Sequence, residues 1–153
     1  TAHNPTDQPI TLSVMLTWQN MVGWFTNASK SPEIQLRDDG SPVYEYQPRI
    51  GESAGNFNQL TGNENQLAIV LTRDFSEPTE GDGQWAIAVP LNPYLWDVSY
   101  DTRWNPAGDG SDLWESFARE GILSDREDET PAKENEQVGA AIAVKFTLKP
   151  GQT

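Results

Sequence analysis

The longest regular pattern of apolar positions lies near the start of the chain, between residues 10 and 18. Side chains at the even positions are apolar and most of those between them are polar; the apolar set is Ile10, Leu12, Val14, Leu16 and Trp18. A period of two is typical of a β-strand with one buried face, and β-branched and aromatic residues favour the same structure. We therefore predict a long strand here, with the even side chains in the core.

Apolar alternation returns at residues 67–71, 85–89, 96–100 and 138–148. We expect the segments Leu67–Arg73 and Gln84–Pro90 to pair antiparallel, because the turn-rich residues between them suit a hairpin. Two weaker runs lie at 34–36 and 43–46, whereas the Gly- and Asn-rich residues 51–65 are interpreted as a loop. The predicted core consists of Leu12, Val14, Leu16, Ile69, Ile87, Val98, Ile142 and Val144.

Residues 111–121 follow a helical period instead. Ser111 is suited to cap the N-terminus and Gly121 to end the helix. One face is apolar and carries Leu113, Trp114, Phe117 and Ala118. The charged residues 124–137 that follow predict a solvated or mobile loop.

Together these elements predict an all-β fold, an antiparallel β-sandwich with one short helix in a connection; an open barrel is the alternative. At 153 residues the chain has the size of one domain, and we assign residues 1–153 to it. The chain starts on Thr1 and not on Met, and Pro150 with Gly151 is typical of a turn into a further segment. We therefore expect a fragment of a longer polypeptide.

Charge and composition argue against several kinds of partner. The 23 acidic residues outnumber the 10 Lys and Arg, giving a net charge of −13, which does not suit nucleic acid or an anionic membrane. No apolar run approaches the roughly 20 residues of a transmembrane helix, so no membrane span is expected. The absence of cysteine excludes disulfides and thiol chemistry and is consistent with a cytoplasmic protein.

The chain offers little for catalysis. Its one histidine, His3, lies close to the N-terminus. Acidic pairs occur at Asp97 with Asp101 and at Asp112 with Glu115, but such spacings arise by chance in a chain with 23 acids. A glycosidase needs two carboxyl groups held across a sugar, one of them with a raised pKa. Residues 81–83 and 109–112 resemble calcium loops only weakly. We therefore predict no catalytic residue, no metal site and no cofactor.

Six tryptophans are the feature that most suggests binding, because flat aromatic rings bind sugars and anchor protein interfaces. Trp18, Trp85 and Trp96 are in phase with the apolar faces of their strands, which predicts core packing. Trp24 and Trp104 lie outside these patterns and are the candidate carbohydrate-binding residues.

Several segments together resemble the N-terminal domain of one glycosidase family. They are NPTDQPITLSVMLTWQNMVGWF (Asn4–Phe25), YEYQPR (Tyr44–Arg49), QLAIVLTR (Gln66–Arg73), SDLWESFAREGILS (Ser111–Ser124) and AAIAVKFTLKPGQT (Ala140–Thr153). The family comprises the non-lysosomal glucosylceramidases and bile-acid β-glucosidase-like enzymes of glycoside hydrolase family 116, and the resemblance is to the bacterial type. It covers nearly the whole chain and rests on dispersed segments, not on one motif.

The resemblance implies a β-sandwich ahead of an α-helical toroid domain that hydrolyses β-glucosides, such as glucosylceramide, with retention. The catalytic glutamate and aspartate of the family belong to that helical domain, so no catalytic residue is carried over to this chain. The implied partner is the chain's own downstream catalytic domain, with a β-glucoside at the edge of the cleft. The chain also resembles only part of the family's N-terminal region, so that some sandwich strands are expected to be missing.

Candidate contacts for such a partner domain lie where the sequence leaves apolar residues outside the regular pattern. They are Met21, Trp24 and Phe25 after the first strand, and Trp114 and Phe117 on the helix. Three functions remain open at this point: a non-catalytic part of a family 116-type glycosidase, a stand-alone carbohydrate-binding module, and a protein-interaction sandwich without sugar chemistry.

Overall fold

The computed structural model describes residues 1–23, 35–36, 38–40, 42–43, 53–74 and 83–153. Its strands, numbered in chain order, are β1 (Ile10–Gln19), β2 (Gln35–Leu36), β3 (Pro42–Val43), β4 (Asn56–Asn63), β5 (Gln66–Arg73), β6 (Trp85–Pro90), β7 (Trp96–Trp104) and β8 (Gly139–Leu148). The helix α1 (Ser111–Glu120) lies between β7 and β8 in sequence. The first sheet has the order β1-β8-β7 and the second β4-β5-β6, while β2 and β3 form a short pair. All these pairings are antiparallel.

This arrangement confirms the all-β sandwich with one short helix, and it confirms the antiparallel pairing of β5 with β6. The two sheets meet through one apolar cluster. Ala140 and Ile142 of β8 pack against Ile69, Leu71 and Ile87 of the second sheet, and all five are buried. The predicted burial is therefore confirmed at Ile69, Ile87 and Ile142. Each such side chain contributes about 1.5–3 kcal/mol by leaving water.

The opposite face of the first sheet carries a second, smaller cluster beneath α1. Leu113 on the helix and Leu123 after it are buried against Ala141 and Ala143 of β8. Small side chains at these two positions let the helix approach the sheet closely, as dense interior packing requires. The helix α1 therefore covers this face of the first sheet. The polar residues at the odd positions of β1 had predicted that the same face is exposed to water.

The two ends of α1 are set by glycines. Gly121 has φ 71, and its N–H donates to the carbonyl of Phe117 at 2.8 Å, which confirms the predicted end of the helix. At the start, the capping position is occupied by Gly110 and no side chain caps the helix. The predicted cap at Ser111 is wrong; its own N–H donates to Asp109 Oδ1 at 3.0 Å. Among the described residues, no helix has the length and apolar character that crossing a bilayer requires.

The predicted loop at residues 51–65 is wrong, because most of it forms β4. Asn56 and Asn58 of this strand point into the protein and are buried. Their side-chain N–H groups are hydrogen-bonded there: Asn58 Nδ2 donates to the carbonyl of Thr102 at 2.8 Å, and Asn56 Nδ2 to that of Val22 at 3.0 Å. Because buried amides with partners stand in for apolar side chains, hydrophobic alternation does not reveal this strand.

Residues 124–137 are irregular, as predicted, but they are fixed to both sheets. The N–H of Thr102 on β7 donates to the carbonyl of Arg126 at 3.0 Å, and the N–H of Asp128 donates to Thr102 Oγ1 at 2.7 Å. Further along, the N–H of Ala132 donates to the carbonyl of Asn56 on β4 at 2.8 Å. The segment is therefore a hydrogen-bonded bridge between β7 and β4 and not a mobile loop.

Candidate functional site

The inner side of β1 is the largest departure from the predicted core. Its side chains Val14, Leu16 and Trp18, the β1 ladder, are 59%, 50% and 40% exposed. The cause is an offset between the sheets. β6 lies opposite β8, since Ile87 packs on Ala140 and Ile142, and in the described ranges the second sheet ends there. No described strand covers the part of β1 that carries Val14 and Leu16, and the predicted burial of these two side chains is wrong.

Trp18 also departs from its predicted place in the core. Its ring stacks on that of Trp85, the first residue of β6, with 6.1 Å between centroids and 27° between planes. Trp85 is itself 52% exposed. The pair closes one end of the gap between β1 and β6, where both rings keep solvent-facing surface. Trp96 is half-buried, and its indole N–H donates to the carbonyl of Pro90 at 3.0 Å.

Of the two tryptophans proposed for sugar binding, the structure describes Trp104 but not Trp24. Trp104 is half-buried at the end of β7 and joins the cluster beneath α1. Its ring lies against Gly139, where a Cβ would overlap it, and its N–H donates to the carbonyl of Ala140 at 3.2 Å. Packing and hydrogen bonding account for Trp104 here, and a sugar platform at this position stays a prediction. Trp24 lies outside the described residues.

The candidate partner-domain contacts are only partly described. Trp114 is 57% exposed on α1 and packs at a tilt of 46° on Phe117, with 5.7 Å between ring centroids. Phe117 is half-buried against the small cluster. Met21 is half-buried next to the buried Val22. Phe25, like Trp24, lies outside the described residues. The structure thus brings Trp114 and Phe117 together as one aromatic surface.

An open basin on the first sheet was not predicted from the sequence. It holds about 610 Å³ and is lined in part by Tyr94, Leu95, Asp97 and Lys145. Tyr94 is 95% exposed in the turn between β6 and β7, where Asn92 Oδ1 accepts its N–H at 3.2 Å. The Asn-Pro dipeptide before Tyr94 is a turn signal that could have indicated an exposed aromatic residue. An exposed phenol ring in a basin that a carboxylate and an ammonium also line can stack on a sugar and bond its hydroxyls.

Among the described residues, Asp101 is the buried acid. Its Oδ1 accepts hydrogen bonds from Arg126 Nε at 3.1 Å and from the Arg103 N–H at 2.8 Å. Burial raises its pKa, and these two donors oppose that shift. Asp97, four residues earlier on β7, is exposed. The two carboxyl groups therefore do not share one environment, and the buried one forms a structural ion pair.

Two acids in residues 124–137, the bridge segment, have lowered pKa values, whereas the pKa of Asp101 is raised. Hydrogen bonds from Thr130, including its N–H at 2.9 Å, lower the pKa of Asp128. The N–H of Lys133, at 2.8 Å from Oε2, lowers the pKa of Glu136, and the Arg103 guanidinium adds to the effect. Arg103 reaches Glu136 at 3.0 Å and Asp128 at 3.6 Å. These contacts attach residues 124–137 to the end of β7.

A protein-family model described as beta-glucosidase 2, glycosyl-hydrolase family 116 N-term, matches residues 1–153. The chain belongs to this family. The match covers the whole chain, both sheets and α1 included, and it confirms the resemblance that the sequence segments carry. A comparison with curated proteins returned no match.

The large exposed apolar side chains described on this family 116 N-terminal domain form three groups. They are the β1 ladder with Trp85, the turn at Tyr94 and Leu95, and Trp114 on α1. One of the groups, the β1 ladder with Trp85, consists of side chains that hydrophobic periodicity assigned to the core. Periodicity shows which side chains share a face of a strand; whether another layer covers that face depends on residues elsewhere in the chain.

Proposed function

We propose that this family 116 N-terminal domain is a non-catalytic β-sandwich that supports a downstream helical-toroid domain, which hydrolyses β-glucosides of the glucosylceramide type. The observation that carries the proposal is the family match over all 153 residues. In this proposal the sandwich serves as a scaffold and as one flank of the active-site cleft, so that the substrate passes its edge without reacting on it.

Two features of the domain support a scaffolding role. The buried carboxylate of Asp101 is committed to Arg126 and to the backbone of Arg103, and this ion pair fastens the bridge segment to β7. On the outside, Trp114 and Phe117 form an aromatic surface of the kind that anchors protein contacts. The acid thus stabilises the domain internally, and the exposed aromatic residues offer contact area to the catalytic domain.

The proposal is tested on the polypeptide that the same gene encodes. A helical domain of several hundred residues downstream of Thr153, together with hydrolysis of an aryl β-glucoside by the purified polypeptide, is the expected result. A gene that ends without such a domain overturns the proposal. A polypeptide that keeps full activity and stability after removal of residues 1–153 overturns the scaffolding role while leaving the family membership intact.

A second function, carbohydrate binding by the domain itself, is favoured by the basin at Tyr94. Asp97 and Lys145 line the same basin as its exposed ring, although Lys145 Nζ already donates to the carbonyl of Glu120 at 2.7 Å. Titration of the chain with methyl β-glucoside and with cellobiose, monitored by NMR, tests this function. Shifts confined to the basin and abolished by Tyr94→Ala support it. Shifts that persist in that variant, or no shifts at millimolar sugar, count against it.

A further inference from the structure

Asn4 is fully buried, although both residues next to it in the sequence are exposed. A buried side-chain amide is unfavourable unless hydrogen bonds within the protein replace those to water. Its Oδ1 accepts from the N–H of Thr6 at 3.0 Å and from Thr6 Oγ1 at 2.7 Å. Its Nδ2 donates to the carbonyl of Gln8 at 2.8 Å and to that of Leu148 at 3.0 Å. The amide of Asn4 thus joins its own segment to the end of β8.

The backbone of Asn4 holds the turn that follows β8. Its N–H donates to the carbonyl of Gln152 at 2.9 Å, and its carbonyl accepts from the N–H of Gly151 at 2.9 Å. Within the turn, the N–H of Gln152 donates to the carbonyl of Lys149 at 3.0 Å, and Gln152 Oε1 accepts the N–H of Lys149 at 2.9 Å. Gly151 has φ 73, which glycine adopts without steric strain. We call Asn4 together with residues 148–152 the clasp.

The clasp orders residues that the core does not contain. β8 lies between β1 and β7, and its last residue, Leu148, is buried and paired in register with Ile10. Residues 149–153 beyond it are all exposed. Exposed residues beyond the end of a strand are usually poorly ordered unless something ties them down. The clasp ties down this exposed turn and so fixes the direction of the chain after β8.

The clasp also forms one wall of the basin on the first sheet. Lys149 and Gln152 line the basin together with Tyr94. The turn therefore directs the chain past a surface that carries an exposed aromatic ring, at the end of the sheet where β1 begins and β8 ends. The geometry of a tether determines how often a tethered domain meets its docking surface, because it sets the effective concentration there.

We propose that Asn4 is a positioning residue: by holding residues 149–152 it fixes the direction in which the polypeptide leaves the sandwich, and so the placement of the downstream catalytic domain against it. This inference rests on the proposed function, which supplies that domain. Without the clasp, residues 149–152 would join a flexible linker, whose end-to-end distance grows with the square root of its length. The sandwich would then meet the catalytic domain in many orientations instead of one.

The order of the turn is tested first, on the 153-residue chain by ¹⁵N relaxation. The backbone order parameters of Gly151 and Gln152 should be about 0.85 in the parent chain and fall below about 0.6 in Asn4→Ala. The reason is that loss of the amide removes the bonds that hold Asn4 itself in place. Phe146 on β8 should stay rigid in both proteins. Flexible residues 151–152 in the parent chain, or unchanged order in Asn4→Ala, would overturn the proposal.

Gln8→Ala is the matched control in the same segment. Gln8 contributes its backbone carbonyl to Asn4, while the residue is exposed, so this variant should leave the order parameters of Gly151 and Gln152 unchanged. Equal loosening in both variants would contradict the assignment to Asn4. If Asn4→Ala does not fold, Asn4→Asp replaces it, since this side chain keeps an acceptor for Thr6 and loses both Nδ2 bonds.

The positioning role is tested next, on the longer polypeptide with an aryl β-glucoside. Asn4→Ala should raise KM about tenfold and leave kcat nearly unchanged, because a displaced flank weakens binding at the cleft and not the chemical step. A variant that is merely destabilised contains fewer active molecules, which lowers the apparent kcat and leaves KM the same. Gln8→Ala should keep both constants of the parent polypeptide.

The outcomes distinguish this proposal from the proposed function. An unchanged KM for Asn4→Ala in an active polypeptide, or a loss confined to kcat, overturns the positioning role of Asn4 and leaves the proposed function standing. A parent polypeptide that does not hydrolyse the β-glucoside overturns the proposed function, and the positioning role with it. The activity of the parent polypeptide therefore tells the two failures apart.

Discussion

The indole of Trp18 on β1 stacks on the indole of Trp85 on β6, although the two strands belong to different sheets. This contact lies at the rim of the sandwich, where β1 extends beyond the last described strand of the second sheet. Beyond the pair, Val14 and Leu16 continue along the same face of β1 without a described strand opposite them. The stacked pair therefore marks the boundary between the closed core and an apolar face that is open in this chain.

The offset of the sheets predicts unequal costs for two truncations on the same inner face. Ile142→Ala should destabilise the chain by about 2–5 kcal/mol, because the side chain is buried in the central cluster. Val14→Ala, the control on the neighbouring strand, should cost no more than about 0.5 kcal/mol because that side chain is mostly solvated. Urea denaturation of both variants measures the difference. Similar losses of unfolding free energy would show that something covers β1 in this chain.

The buried asparagines predict a polar contribution to the core. Asn58 Nδ2 donates to the carbonyl of Thr102 at 2.8 Å, so Asn58→Ala removes this donor from a buried carbonyl. Asn20 Nδ2, which also donates to Asn58, keeps the carbonyls of Phe57 and Thr72 as acceptors. Each buried group left without a partner costs about 1–3 kcal/mol. Gln59→Ala, at an exposed position on the same strand, should stay within about 0.5 kcal/mol of the parent chain. Chemical denaturation measures the free energy of unfolding of both variants. An unchanged free energy of unfolding for Asn58→Ala would contradict a stabilising role for the buried asparagine hydrogen bonds.

Asp128 and Glu136 predict how the chain responds to acid. Their pKa values are lowered in the folded state, so their stabilisation is present above the ordinary values of 3.8 and 4.5 and is lost as pH falls through the folded ones. The double variant Asp128→Asn with Glu136→Gln should therefore show a shallower loss of stability below about pH 4.5. Asp7→Asn, an exposed acid near the N-terminus, is the control. If the free energy of unfolding falls equally with pH in the parent chain and in the double variant, these two acids do not stabilise the attachment of residues 124–137.

Asp101 affects the pH dependence of folding stability in the opposite direction to Asp128 and Glu136. Because burial raises its pKa, its contribution to stability is full below 3.8 and declines as pH rises through the folded value. Asp101→Asn removes this decline, although it also removes the charge partner of Arg126. In unfolding experiments between pH 3 and 7, the gap between the parent chain and Asp101→Asn should therefore change with pH in the opposite direction to that of the bridge variant. A gap that moves with pH in the same direction for both variants would contradict this assignment.

The elements found by periodicity are those whose inner faces are apolar. β5, β6, β7 and β8 alternate cleanly, and Ile69, Ile87 and Ile142 lie in the core as predicted. β4 escaped prediction because Asn56 and Asn58 fill its inner positions and are paired through hydrogen bonds to residues far away in sequence. Such pairing is visible only once Val22 and Thr102 are brought beside the strand by the fold.

The contact surfaces were harder to predict than the strands. Alternation places Val14 and Leu16 on one face but contains no information about how far the second sheet extends. Trp104 looked free because its contact, Gly139, lies in a different strand and leaves no trace in the local pattern. Asn92-Pro93 before Tyr94 signals a turn, but the local sequence does not show that this turn lies beside a basin formed with β7 and β8. In each case the missing information is a long-range contact.

Under the proposed function, we expect the downstream domain to contact the sandwich at the aromatic surface of α1 formed by Trp114 and Phe117. Backbone amides of α1 next to Trp114 and Phe117 should exchange more slowly in the longer polypeptide than in the 153-residue chain. Trp114→Ala should remove that difference, since the side chain is mostly exposed here and its loss should not unfold the helix. Hydrogen exchange followed by mass spectrometry provides the measurement. Equal protection of the helix in both proteins would place the contact elsewhere on the domain.

The most direct test of the account is the rate at which the purified 153-residue chain hydrolyses an aryl β-glucoside, measured beside the longer polypeptide. If the chain is the non-catalytic part that we propose, it should release no more aglycone than buffer, while the polypeptide turns over the substrate. Turnover by the chain alone that Asp97→Asn or Glu115→Gln abolishes would contradict the account, because it would place catalytic carboxylates within residues 1–153.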